Sequence, residues 1–282
     1  MESWFLFALI SALLAGLYSF TTRLSAHYQH HSALVSVYSS ISAAVLSGGY
    51  AIFVRPDLSR VGLVFIIALV DAFMYLMVSV TRIDALKEIN STIFFPIYKL
   101  ASSVLAVPIG LLFFADVLTK TELVGIAVGL LAPLLLLNRG EKLRQRNLSK
   151  GLLLTMGSVA AAIVATIASK LITTLHLDVS LYTFFAFALS VPFALVLFHQ
   201  TNGRFHKTKH VEWVGLLGGA FMFANLYCFV RALSGDLSTV FLINSFSTVV
   251  VVILSVLAFR EHMSLRKVGA LAVTILSLIL LK

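Results

Sequence analysis

Long apolar runs separated by short polar breaks set the rhythm of this 282-residue chain. Ten runs stand out, at approximately 4–24, 33–54, 61–81, 91–114, 122–138, 151–172, 180–199, 211–233, 237–259 and 265–281. Each is near the roughly twenty residues that a helix needs to cross the hydrocarbon core of a bilayer. The runs are continuously apolar and do not alternate with period two, so they predict helices and not the strands of a membrane barrel. The longest polar stretch is Asn138–Lys150, NRGEKLRQRNLSK, between the fifth and sixth runs.

One pattern occurs twice. Residues 85–94 read ALKEINSTIF and residues 232–241 read ALSGDLSTVF, both fitting A-L-x-x-x-x-S-T-x-F at an offset of 147. Phe114-Ala-Asp116-Val-Leu118-Thr119 follows the first copy, and Phe259-Arg-Glu261-His-Met263-Ser264 follows the second. Upstream, Ser11 falls on Ser158 and Arg23 on Lys170. A fixed offset over most of the length means two copies of one structural unit. Five is odd, so the second copy must enter the membrane from the opposite side. The expectation is an all-α membrane protein of ten transmembrane helices in two inverted five-helix repeats, residues 1–138 and 151–282, joined by a basic loop at 139–150.

Composition agrees with that class. The chain is 60% apolar and 12% charged with a mean hydropathy of +1.00, against roughly 45–50% and about 25% in soluble domains. Its single cysteine, Cys228, excludes a disulfide framework and a cysteine-based metal site. The net charge of +9 is read as basic loops against lipid headgroups, not as a nucleic-acid footprint. No cleaved leader is expected, because the first run lacks a basic flank and has a spanning length. Loops after odd-numbered runs hold most of the Lys and Arg, among them Arg23, Arg82, Lys87, Arg144, Arg204 and Arg260. The positive-inside rule then puts those loops in the cytoplasm and both termini outside.

The order of these motifs, taken twice, resembles the drug/metabolite transporter superfamily, and within it the EamA-type ten-helix branch. The resemblance rests on Ala85-Leu86 and Ala232-Leu233, on Ser91-Thr92 and Ser238-Thr239, on the acidic signatures at Asp116 and Glu261, and on the basic Arg23 and Lys170. It implies a transporter of small organic solutes, and cytoplasmic termini, which conflicts with the loop charges. Two departures stand out. The Trp-Gly pair common in the family's first helix is replaced by Ala15-Gly16-Leu17-Tyr18, and the first run has no embedded carboxylate of the kind that the small multidrug exporters use.

Ionisable groups in hydrocarbon are costly and mark a pathway or site by default. Asp71, mid-way along the third run, and Lys99, about eight residues into the fourth, lie at similar depth, roughly 12–16 Å from the break between their helices. A pair between them is expected to line a central cavity that binds a charged or zwitterionic solute; the alternative is a structural pair locking two helices. Tyr75 lies one turn from Asp71, and Tyr98 adjoins Lys99. Asn225 and Asn244 are the second half's nearest counterparts, as solute ligands or as interhelical hydrogen-bonding groups. Tyr18 is placed in the same cavity. Pro96 and Pro108, both in the fourth run, are read as a hinge or as a fixed bend. Gly125-x-x-x-Gly129 and Gly215-x-x-x-Gly219 suit close helix packing. His27, His30 and His31 lack an accompanying carboxylate and are read as a headgroup-facing loop, not as a metal site.

The functional expectation is a secondary transporter moving a small polar or zwitterionic, amino-acid-like metabolite by alternating access, with no cofactor and no metal. A proton or an exchanged solute is the possible coupling partner. An intramembrane enzyme is disfavoured by the absence of H-E-x-x-H and G-x-S-x-G, and a divalent-cation channel by the lack of carboxylate rings. There is no phosphate-binding loop for ATP hydrolysis. Short loops suggest a bacterial cytoplasmic membrane, and a monomer or homodimer remains open.

Overall fold

A peptide group without a partner is expensive in lipid, so runs of this length satisfy their backbone inside helices. The computed structural model describes residues 3–116, 119–136, 147–201, 210–259 and 265–280. Among the described residues there are helices and no strand. They are α1 (Ser3–His27), α2 (Ser32–Val54), α3 (Val61–Glu88), α4 (Ser91–Phe113), α5 (Lys120–Leu136), α6 (Leu148–Thr174), α7 (Val179–Gln200), α8 (Val211–Ala232), α9 (Leu237–Ser245), α10 (Ser247–Phe259) and α11 (Leu265–Leu280). Eight stretches are long and apolar enough to cross a membrane, counting Leu237–Ala258 of α9 and α10 as one. The remaining helices, α5 and α11, hold 17 and 16 residues. Most of the basic connecting loop and the Glu261 signature lie outside the described residues.

Two boundaries differ from the hydrophobic pattern. The apolar run ends near Thr81, but α3 continues to Glu88. Residues 82–88 contain no Pro or Gly to stop a helix, and Ile83 and Ala85 bury its inner face. Arg82 and Lys87, read as loop charges, are therefore helical. The break in the ALKEINST copy shrinks to Ile89–Asn90, where Ile89 is extended. The ninth run is divided at Phe246, although it contains no proline, whereas α4 runs unbroken through Pro96 and Pro108.

The polar side chains of the helices are collected inside, among apolar core clusters, and the outer surface is apolar. Ser11, Asp71, Lys99, Thr155 and Ser158 are buried, while Ile52, Phe53, Leu112 and Leu153 are exposed. Lipid accepts the apolar side chains, and the polar ones must face protein or water. The helices pack α1 on α8, α9 and α10, α3 on α6, α2 on α7 and α8, α3 on α7, α4 on α9 and α6, and α5 on α11. Exchanging the first five helices with the later set leaves this pairing pattern unchanged. The end of α1 closes with Gln29 at φ 55 and His30 N–H donating to Ser25 O at 3.0 Å; α6 closes with His176 at φ 51 and Leu177 N–H donating to Ile172 O at 2.9 Å. These Schellman-type caps stand at the same 147-residue offset as the motifs.

Gly215 and Gly219 let α8 approach α2. A Cβ at Gly215 would meet that of Tyr38 at 2.5 Å, and one at Gly219 would meet the carbonyl oxygen of Ser39. Gly49 has open space. Gly219→Ala should therefore lower stability by about 1–3 kcal/mol through overpacking, while Gly49→Ala should leave it unchanged or raise it by up to ~1 kcal/mol through helix propensity. Thermal unfolding in detergent separates the two.

Asp178 caps α7. Its Oδ1 accepts from Ser180 N at 2.8 Å and Leu181 N at 2.9 Å, and its Oδ2 accepts from Asp57 N at 3.2 Å. Burial pushes this carboxyl up, but the hydrogen bonds from Ser180, Leu181 and Asp57 outweigh it and hold the group below the usual carboxylate range. Asp178→Ala should cost about 1 kcal/mol at neutral pH. Because the folded value is lowered, the contribution is full above about pH 4 and is lost as the pH falls further. Stability measured against pH for both proteins should converge in acid.

Candidate functional site

The buried polar faces of six helices meet at a cavity of about 80 Å³. Its wall takes Tyr18 from α1, Tyr75 and Arg82 from α3, Tyr98 and Lys99 from α4, residues of α6, Asn225 from α8 and Asn244 from α9. Six residues singled out in the sequence thus come together: Tyr18, Tyr75, Tyr98, Lys99, Asn225 and Asn244. Asp71 does not reach the wall.

Lys99 anchors one side. Its ammonium donates to Asn244 Oδ1 at 2.8 Å and to the Asn244 carbonyl at 3.3 Å. Asn244 lies two residues before the interruption at Phe246 that divides α9 from α10. The Asn244 Nδ2 donates to Ser11 Oγ at 3.0 Å, and Ser11 Oγ donates to Asn225 Oδ1 at 3.0 Å. A chain of charge and amide groups therefore runs from α4 through α9 and α1 to α8. Asn225 accepts from Ser11 with one lone pair of its oxygen, and its amide N–H groups can donate to a guest in the cavity.

Arg82 supplies a second cation that the hydrophobic pattern hid. It is buried, with its guanidinium carbon 4.8 Å from the centre of the Tyr98 ring and 5.5 Å from that of Tyr18. Nη1 donates to Ser19 Oγ at 3.4 Å. The signal that finds it is the helical stripe Tyr75, Val78, Arg82, which continues one face past the apolar run.

The expected Asp71–Lys99 pair is not made. Asp71 Oδ2 instead accepts from Tyr182 Oη of α7 at 2.6 Å. Shared depth was correct grounds for a similar height, but height leaves the direction around the helix open. α3 packs on α6 and α7 and only slightly on α4, so a residue at Asp71's angle meets α7. Tyr182 has one proton, committed to Asp71, so Ser169 donates to the Tyr182 oxygen at 3.0 Å. Ser169 belongs to the cavity wall. Asp71 thus sits in a second layer, one tyrosine behind the cavity, with Oδ1 lacking a hydrogen-bond partner among the described residues.

The repeated motifs also find structural roles. Asp116 Oδ2 accepts from Ser238 N at 3.0 Å and from Ser238 Oγ at 3.1 Å, so the acidic signature of the first half caps the Ser-Thr start of α9 in the second. Lys170 is buried and donates to Leu233 O at 2.9 Å and Gly235 O at 2.8 Å, at the negative end of α8. The histidine segment departs in part from the headgroup-facing reading: His27 is exposed, but His30 is fully buried and stacked on Tyr28, and His31 packs edge-on against Phe198. Among the described residues no three His, Cys, Asp or Glu side chains form a group able to hold a metal ion. Pro96 is buried and Pro108 exposed.

Tyr182→Phe should leave the Asp71 carboxyl without its hydrogen bond and cost about 1–3 kcal/mol. Adding Asp71→Leu should recover much of that loss, because the buried carboxyl is then no longer stranded. A double-mutant cycle on thermal unfolding gives the coupling.

Residues 149–282 match the EamA-like transporter family. No curated protein sequence matches the chain. A solved structure described as "Crystal structure of protein" is similar in fold, with a TM-score of 0.75, 14% identity and coverage of 97% of this chain and 97% of that one.

Proposed function

Because residues 149–282 match the EamA-like transporter family and eight stretches are long and apolar enough to cross a membrane, we propose that this chain is an EamA-type, multi-pass secondary transporter of the drug/metabolite superfamily working by alternating access. Its solute is a small polar organic molecule with a carboxylate-like end, a class that includes amino-acid zwitterions. The observation that carries the reading is the cavity itself, lined by α1, α3 and α4 from the first half of the chain and by α6, α8 and α9 from the second. A site shared between two halves is exposed first to one side and then to the other when the halves rock, without the solute moving relative to its ligands.

Ten crossings as two inverted five-helix repeats belong to the same proposal, with α9 and α10 acting as one span and α5 and α11 as the short fifth and tenth. The recurring motifs, the matching caps after α1 and α6 and the exchange-symmetric packing support it. Contacts that a rocking motion would have to break are present near both ends. Glu88 pairs with Lys150 at 2.7 Å by the α3 and α6 ends, and Asp116 Oδ2 accepts from Ser238 N at 3.0 Å by the α4 and α9 ends. In this scheme Pro96 and Pro108 let α4 bend. The α9–α10 interruption gives the opposite half a flexible point beside Asn244.

Purified protein in liposomes should show saturable counterflow of one small polar solute. Lys99→Met and Asn244→Ala should each reduce its initial rate at least tenfold while the protein remains folded. Wild-type rates in both variants would remove the cavity from the transport path.

A further inference from the structure

The charges on the cavity wall have one sign. Arg82 and Lys99 both line it, and no Asp or Glu is among the described lining residues. Asp71, fully buried one turn from Tyr75 on the same helix, is turned to Tyr182 instead. The two cations flank a single ring, with the Arg82 guanidinium carbon 4.8 Å and Lys99 Nζ 5.8 Å from the centre of Tyr98. Like charges this close in a water-poor interior repel one another, so a bound anion relieves a cost already built into the site.

The hydrogen-bonding capacity leans the same way. Arg82 Nε is buried and has no hydrogen-bond partner among the described residues, and Nη1 makes only the long 3.4 Å contact to Ser19. Lys99 donates to the two oxygens of Asn244, and Asn225 Oδ1 accepts from Ser11 while its N–H groups can donate. The other polar groups of the wall are chiefly hydroxyls, able to donate as well as accept, and no carboxylate joins them among the described residues. A guanidinium fork with free N–H groups matches a carboxylate or phosphate edge. An ammonium group finds no carboxylate here, and the Tyr18 and Tyr98 rings that would otherwise hold it already carry cations of the protein.

We propose that the cavity selects a small organic dianion, a short dicarboxylate or a phosphate monoester, held between the Arg82 guanidinium and the Lys99 ammonium. This narrows the solute class of the transport reading and rests on that reading only for the movement of the solute once bound. Arg82 is the residue that sets specificity. Lys99, tied to Asn244, links occupancy to the second half.

The test is equilibrium binding to the full-length protein in detergent, by isothermal titration, with succinate, glycerol 3-phosphate and serine as probes. Succinate or glycerol 3-phosphate should bind at least tenfold more tightly than serine, and the stronger of the two identifies the anionic group. Arg82→Gln should weaken that anion at least tenfold, whereas Arg82→Lys should recover part of the loss. Thermal unfolding of the unliganded variants establishes that each is folded. Serine binding as tightly as both anions, an anion affinity unchanged in Arg82→Gln, or no binding of either anion would overturn the proposal. Counterflow in liposomes tests the other reading separately. Anion binding without flux of any solute sinks transport and leaves dianion selection standing, and serine counterflow without anion binding does the reverse.

Discussion

The contact on which this structure turns is the one between Lys99 and Asn244. An ammonium in the middle of a bundle has lost most of its hydration, and oxygens supplied by the protein must replace it. Asn244 provides two, one from its side chain and one from its backbone. That pairing joins α4 of the first half to α9 of the second. Ser11 extends it to α1 and α8. Polar groups that lipid would reject are thus collected at one place, and the collection is the cavity.

The same constraint explains the second layer. Asp71 is fully buried, and Tyr182 meets it from α7. Through Ser169 this tyrosine also touches the cavity wall. The cavity and the carboxyl behind it are therefore separated by only two hydroxyl groups. Local breaks serve as ligands elsewhere: the α9 start is capped by Asp116 from the other half, and the α8 end by Lys170. Helix termini carry unpaired N–H and C=O groups, so side chains from neighbouring helices both satisfy them and hold the halves together.

Much of the fold was legible because the bilayer imposes a length and a polarity on each helix. The apolar runs located every helix to within a few residues, apart from the end of α3 and the division at Phe246. Both exceptions have local causes. Polar helix formers carry α3 past the apolar run, and a tertiary contact to a backbone carbonyl accompanies an interruption that no Pro or Gly announces. The recurring motif also marked helix starts, since Ser91 opens α4 and Ser238 lies in the first turn of α9. The family match over residues 149–282 agrees with that resemblance.

Sequence by itself determined the class, the helices and the set of polar residues that had to be buried, because hydrophobicity and spacing along one chain are local properties. It brought Tyr18, Tyr75, Tyr98, Lys99, Asn225 and Asn244 to one expected site, and those six do line one cavity. Only the tertiary structure decided which polar group meets which. Depth along a helix follows from counting residues, but the angle at which a side chain leaves its helix has meaning only through the neighbours packed there. That angle sent Asp71 to Tyr182 and Lys99 to Asn244, and it turned Arg82 from an expected loop charge into a cation of the cavity.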